Sequence, residues 1–104
     1  MDIEPVFSAL AHPVRRQVIS LLLAEDRTAG AIATEFDISR SAVSEHLGIL
    51  RSAGLVKEVK SGRERIYSLE AEPLAELRGW LEPFESYWKT QLARLARQFE
   101  EDET

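Results

Sequence analysis

Through the first half of the chain, apolar positions recur every three or four residues, the period of one helix face. Ile3, Val6, Phe7 and Leu10 form the first such stripe, behind Asp2 as a cap and Pro5, which a first helical turn tolerates. A second helix is predicted from Pro13, with Val14, Val18, Leu21 and Leu22 as its core stripe and Ile19 and Leu23 widening it. Glu25-Asp26-Arg27 is a polar break, after which Thr28 caps a short third helix carrying Ala29, Ile32, Ala33 and Phe36. Asp37-Ile38 makes a tight turn and Ser39 caps a fourth helix. Val43, Leu47 and Leu50 line the buried face of that helix, while Arg40, Ser41, Ser44, Glu45, Gly48 and Arg51 point outward. Gly54 stands where the left-handed terminal residue of a helix belongs.

The pattern then becomes strand-compatible over Leu55 to Lys60 and Glu64 to Leu69, with Ser61-Gly62-Arg63 as a hairpin tip. Helical spacing returns in Leu74, Leu77, Leu81, Phe84, Trp88, Leu92, Leu95 and Phe99, with Trp80 and Tyr87 beside the stripe. Pro83 interrupts it, which predicts a kink or a break into two helices, because proline removes a donor and crowds the carbonyl of Gly79. The expected fold is mostly α with a small β-hairpin: a single domain over 1–104, with a helix-turn-helix at 28–50 and a wing at 55–69. That late stripe carries more large apolar surface than one helix layer covers, so a dimer interface is expected along 73–100.

The net charge of −5 argues against a nucleic-acid partner until it is divided along the chain. Residues 1–68 hold nine basic and nine acidic side chains, whereas 39–67 hold six against three. The whole deficit lies in 69–104, and Glu100-Glu101-Asp102-Glu103 is expected to be a frayed, solvated end. Phosphate contacts depend on the local face, so the segment 39–67 suits DNA. Ser39, Arg40, Ser41, Ser44 and Glu45 would face a groove, with His46 at its edge against a phosphate. Lys60, Arg63 and Arg65 would lie along the flanking backbone or minor groove, and Arg15 and Arg16 are further phosphate candidates. His12, before Pro13, is expected to cap or end a turn.

With no cysteine the chain has no disulfide, thiolate ligand or thiol switch, and two histidines alone make no zinc site. No apolar run reaches the roughly 20 residues that span a bilayer, and no signal-peptide pattern is expected. A catalytic role is disfavoured by the lack of a phosphate-cradling glycine loop and of a His/Asp/Ser cluster.

Phe7 to Arg16, Ser41 to Leu47, Leu50 to Val56 and Gly62 to Tyr67 together resemble ArsR-type winged-helix transcriptional repressors. The resemblance covers about residues 3 to 100 and implies a cytoplasmic homodimer on a palindromic operator, paired through its terminal helices, 1–11 and 73–100. Ile3, Phe7, Leu77, Trp80, Leu81, Phe84, Trp88, Leu92 and Leu95 are the corresponding interface positions. Trp80 to Phe84 and Tyr87-Trp88 are similar to a branch that does not sense metals. Thr28 to Phe36 lacks the cysteine motif of metal-sensing members, and 70–104 holds no histidine, so no metal and no cofactor is expected. Gly48 replaces a long basic residue found in many members. The other readings are a winged helix that binds a protein partner and a MarR-type regulator, whose chains are usually longer; any effector is unknown.

Overall fold

A computed structural model describes residues 2–102. Each helix start has a local cause. The Asp2 carboxylate accepts the Glu4 N–H at 3.0 Å, ahead of α1 (Glu4–Leu10). The His12 Nδ1 accepts the Val14 N–H at 3.2 Å and starts α2 (Pro13–Ala24), with proline as its first residue. Thr28 Oγ1 accepts from Ala31 and Ser39 Oγ from Ala42, each at 3.1 Å, opening α3 (Ala29–Ala33) and α4 (Arg40–Ser52). The end of α4 is equally determined. Gly54, at φ 76°, donates to the Arg51 carbonyl and Leu55 donates to that of Leu50, both at 3.0 Å. These paired bonds form the Schellman termination, which turns the chain directly into the first strand of the hairpin.

The expected hairpin is present and belongs to a three-stranded antiparallel sheet in the order β1-β3-β2. The long strands are β2 (Val56–Ser61) and β3 (Glu64–Leu69), and the third is β1 (Arg27–Thr28). Arg27 pairs with Tyr67 and Thr28 with Ile66, so β1 holds the base of the wing to the start of α3. Gly62 takes φ 63° at the first position of the two-residue tip, as a type II′ turn requires.

The core gathers Val6 and Ala9 of α1, Val18 and Leu22 of α2, and Ile32 of α3. Val43, Leu47 and Leu50 of α4 join them, with Leu55, Val56 and Tyr67 from the wing. Leu23 departs from expectation: it is 77% exposed, because one helical step from buried Leu22 carries it off the core face. Phe36 lies beyond the last residue of α3 but still packs on the core.

The C-terminal third departs further. Pro83 neither breaks nor ends the helix, and α5 runs as one 32-residue element, Ala71–Asp102. Pro83 and Gly79 both lie on exposed surface, so the carbonyl that proline deprives of its donor is open to water. Residues 100–102 are helical rather than frayed, while Glu103 lies outside the described residues. Only the first turns of α5 reach the core, through buried Pro73 and partly buried Leu74. The rest projects, and the radius of gyration is 18.7 Å, against about 13 Å for a compact chain of this length.

Arg15 and Arg16 both bond the end of α1. Arg15 Nε donates to the Ala9 carbonyl at 2.6 Å, and Arg16 Nη1 donates to that of Leu10 at 2.8 Å. They supply cations and donors to the last turn of α1, which has no basic residue of its own. Arg15 Nη1 also lies 3.1 Å from the Nδ1 of His46 on α4, and the His46 ring stands 4.4 Å from that of His12. This clip joins α1, α2 and α4. Burial, then the neighbouring His12 and Arg15, lower the His46 pKa below the ordinary imidazole value.

The fold makes two predictions. Ile32→Ala, at a fully buried position, should cost about 2–5 kcal/mol in a denaturant titration; a loss under about 1 kcal/mol would contradict the packing of α3. Because folded His46 resists protonation, the unfolded chain binds more protons as pH falls through about 6.5, so stability drops there. The melting temperature should therefore fall more steeply between about pH 7 and pH 5 in the native chain than in His46→Gln. Parallel curves would dissociate His46 from the clip.

Candidate nucleic-acid interface

One face of α4 is committed to the core by Val43, Leu47 and Leu50, which leaves the opposite face free. Ser39, Arg40, Ser41, Ser44 and Glu45 are all exposed on or beside its N-terminal half. These side chains are short except for Arg40 and Glu45, so a nucleic-acid backbone or base edge can come close to the helix. Ser39 has a second duty as the cap, and its hydroxyl also lies 3.2 Å from that of Ser41.

Arg40 leans over α3, where a methyl group on Gly30 would sit 3.7 Å from the guanidinium. Beside it lies an open cleft of about 210 Å³ between α3, α4 and β3, lined in part by Gly30, Arg40, Ser44, Arg65 and Tyr67. A neighbouring hollow is lined by Arg40, Arg63 and Arg65, so the two form one groove with three arginines along it. At the wing, Lys60 stands directly opposite Arg65 in the strand register. Like charges in that position repel and leave a site that a phosphate would relieve. Arg63 occupies the turn itself and is fully outside the core.

Two expected site residues already have partners within the fold. His46 is half-buried, with Nδ1 committed to Arg15 rather than turned freely to a phosphate. Arg65 is ion-paired at 3.7 Å with Glu58. Glu58 itself carries no signal in the sequence pattern, yet three groups converge on it. Tyr67 Oη donates to its carboxylate, Arg51 Nη1 of α4 donates at 3.0 Å, and Arg65 approaches from the next strand. Its side chain is only 16% exposed. The Tyr67 hydrogen bond, then the Arg65 and Arg51 charges, hold its carboxyl below the usual range. Burial first, and the bond to Glu58 second, push the Tyr67 phenol up. Only the register, with Glu58 opposite Tyr67 one turn past the end of α4, reveals this cluster.

The remaining site residues lie on α1 and α5. Phe7 meets Trp80 edge to face at 5.1 Å, and Trp80 lies 4.8 Å from Phe84, joining the two helices in one aromatic patch. Ile3, Phe7 and Leu77 are half-buried. Trp80, Leu81, Phe84, Trp88, Leu92 and Leu95 remain between 46% and 62% exposed, in line along α5. Among the described residues no three His, Cys, Asp or Glu side chains are grouped to hold a metal ion. No helix among them is long and apolar enough to cross a membrane.

Known proteins share this arrangement. Residues 10–59 match the model of a family described as a helix-turn-helix domain. The transcriptional repressor SdpR of Bacillus subtilis is 38% identical over 76 residues, which cover 73% of this chain and 84% of that protein. The uncharacterized HTH-type transcriptional regulator Rv0081 of Mycobacterium tuberculosis is 39% identical over 72 residues, covering 68% of this chain and 63% of that one. A crystal structure of an ArsR family transcriptional regulator superposes with a TM-score of 0.76 at 30% identity, covering 84% of this chain and 90% of its own. With a capped recognition helix, a basic wing and relatives of this kind, the chain is no enzyme: it belongs to the ArsR family of winged helix-turn-helix, DNA-binding transcriptional regulators.

Proposed function

We propose that the protein is a homodimeric repressor that occludes a promoter by binding a palindromic operator. The observation that carries this reading is the apolar face of α5, exposed from Trp80 to Leu95 on a helix that projects from its own core. A second copy is the occupant that buries it, through Ile3 and Phe7 of α1 and Leu77, Trp80, Leu81, Phe84, Trp88, Leu92 and Leu95 of α5. A two-fold between the copies presents two α4 helices to successive major grooves about 34 Å apart.

Within each half-site, Ser39, Ser41 and Ser44 approach the groove edge and phosphates. Arg40 reads guanine or clamps a phosphate, and Glu45 accepts from a cytosine amino group. Lys60 and Arg63 follow the flanking backbone, with Arg65 behind them and His46 holding the helix from its inner side. Residues 28–50 thus read the operator, 55–69 grip its edge, and 1–11 with 73–100 set the spacing. The repressor role draws support from the name of the SdpR relative.

Fluorescence anisotropy on duplexes from the gene's own upstream region tests this. Expected is a clear preference for an inverted repeat over scrambled duplex at moderate salt; equal binding would refute the operator reading, and a dimer that binds no duplex would favour a protein-partner role. Arg63→Ala should weaken both duplexes alike and flatten the log–log salt slope by about 0.9, one phosphate's worth. An unchanged slope would remove Arg63 from the interface. Leu92→Glu should sediment as a folded monomer at micromolar concentration and lose the inverted-repeat preference. A native chain that is itself monomeric there would overturn the dimer.

A further inference from the structure

Glu58 is the one acidic side chain on a wing face that otherwise carries Lys60 and Arg65, with Tyr67 opposite it and Arg51 reaching over from α4. Its carboxylate receives a phenol hydroxyl and one guanidinium by hydrogen bond, and a second guanidinium at ion-pair distance. Two guanidiniums and a hydroxyl around a pair of anionic oxygens is the set of partners that arginine-rich proteins offer a phosphate. Both arginines are more than half exposed, 53% for Arg51 and 62% for Arg65, so they are accessible to solvent and to DNA. Both are paired with the one carboxylate.

We propose that Glu58 acts as a built-in substitute for a DNA phosphate, holding Arg51 and Arg65 away from the duplex backbone and so limiting sequence-independent binding. The proposal rests on the DNA-binding reading. Each cation that docks on a phosphate adds about 0.9 to the salt slope and raises affinity for every sequence alike. Withholding two of them leaves binding to depend more on the groove-facing residues of α4. The carboxylate also ties the last turn of α4 to both strands, so the wing keeps its angle to the recognition helix while its arginines are held.

Glu58→Gln isolates the charge, because the amide oxygen still accepts from Tyr67 and fills the same space. Salt series on the full-length protein with an inverted-repeat duplex and a scrambled duplex give the readout. The native slope must first be negative; a native chain that ignores duplex at all salts defeats the DNA-binding reading itself. Given that slope, Glu58→Gln should steepen it by about 0.9 to 1.8 on both duplexes. It should also tighten the scrambled duplex at low salt and narrow the ratio between the two. A folded Glu58→Gln with the native slope overturns the proposal.

Arg51→Ala supplies an independent arm that does not depend on the Gln variant folding. In the native background it should leave the slope unchanged, because Arg51 is already held. Combined with Glu58→Gln it should take back about 0.9 of the steepening. A fall of about 0.9 for Arg51→Ala alone would mean that Arg51 already docks on phosphate, and would refute the restraint.

Discussion

Helix α4 has to satisfy two demands at once, and the rest of the domain is arranged around that constraint. Three apolar residues at helical spacing, Val43, Leu47 and Leu50, must be wholly removed from water. Arg40, Ser41, Ser44 and Glu45, on the opposite face, must remain exposed to it. A helix of thirteen residues offers no slack for this, so its start, end and rotation are all fixed by specific bonds. Ser39 sets the first turn, Gly54 the last, and the Arg15–His46 contact clips the flank. Leu55 and Val56 continue the same buried line into β2, so helix and wing share one core.

The electrostatics follow the same division of labour. The chain is acidic as a whole, yet its arginines fall into separate groups by what they bond. Arg15 and Arg16 serve the carbonyls at the end of α1, Arg51 and Arg65 face Glu58, and Arg40 and Arg63 border the open groove. A count of basic residues near α4 therefore says nothing of which partner each already has. Geometry decides which positive charges are free.

This grouping marks where the sequence stops being legible. Helix starts were readable because caps act within three residues, as at Thr28 and Ser39. The end of α4 was readable because Gly54 has a conformational reason to be glycine. The two-residue β1 was not, since Arg27-Thr28 is too short to show alternation and its partner lies some forty residues on, at Ile66 and Tyr67. Pro83 misled because it was judged by residue type while water around the position set its cost, and Leu23 because the apolar stripe is narrower than the run of leucines suggests. Glu58 and the two clipped arginines depend on contacts between elements, which spacing along one element does not encode.

Thr28 belongs to β1 and also caps α3, so a single residue joins the wing to the helix-turn-helix. The wing is anchored near its base, through Arg27, Thr28, Leu55, Val56, Ile66 and Tyr67 and the Arg51–Glu58 pair, while positions 60–65 at the far end are exposed. The wing is thereby a cantilever: rooted in the core at one end and held at the other only by the pairing of its own two strands. Changes in the length or charge of that exposed tip disturb no buried contact, so the far end of the wing can vary while the core beneath it stays as it is.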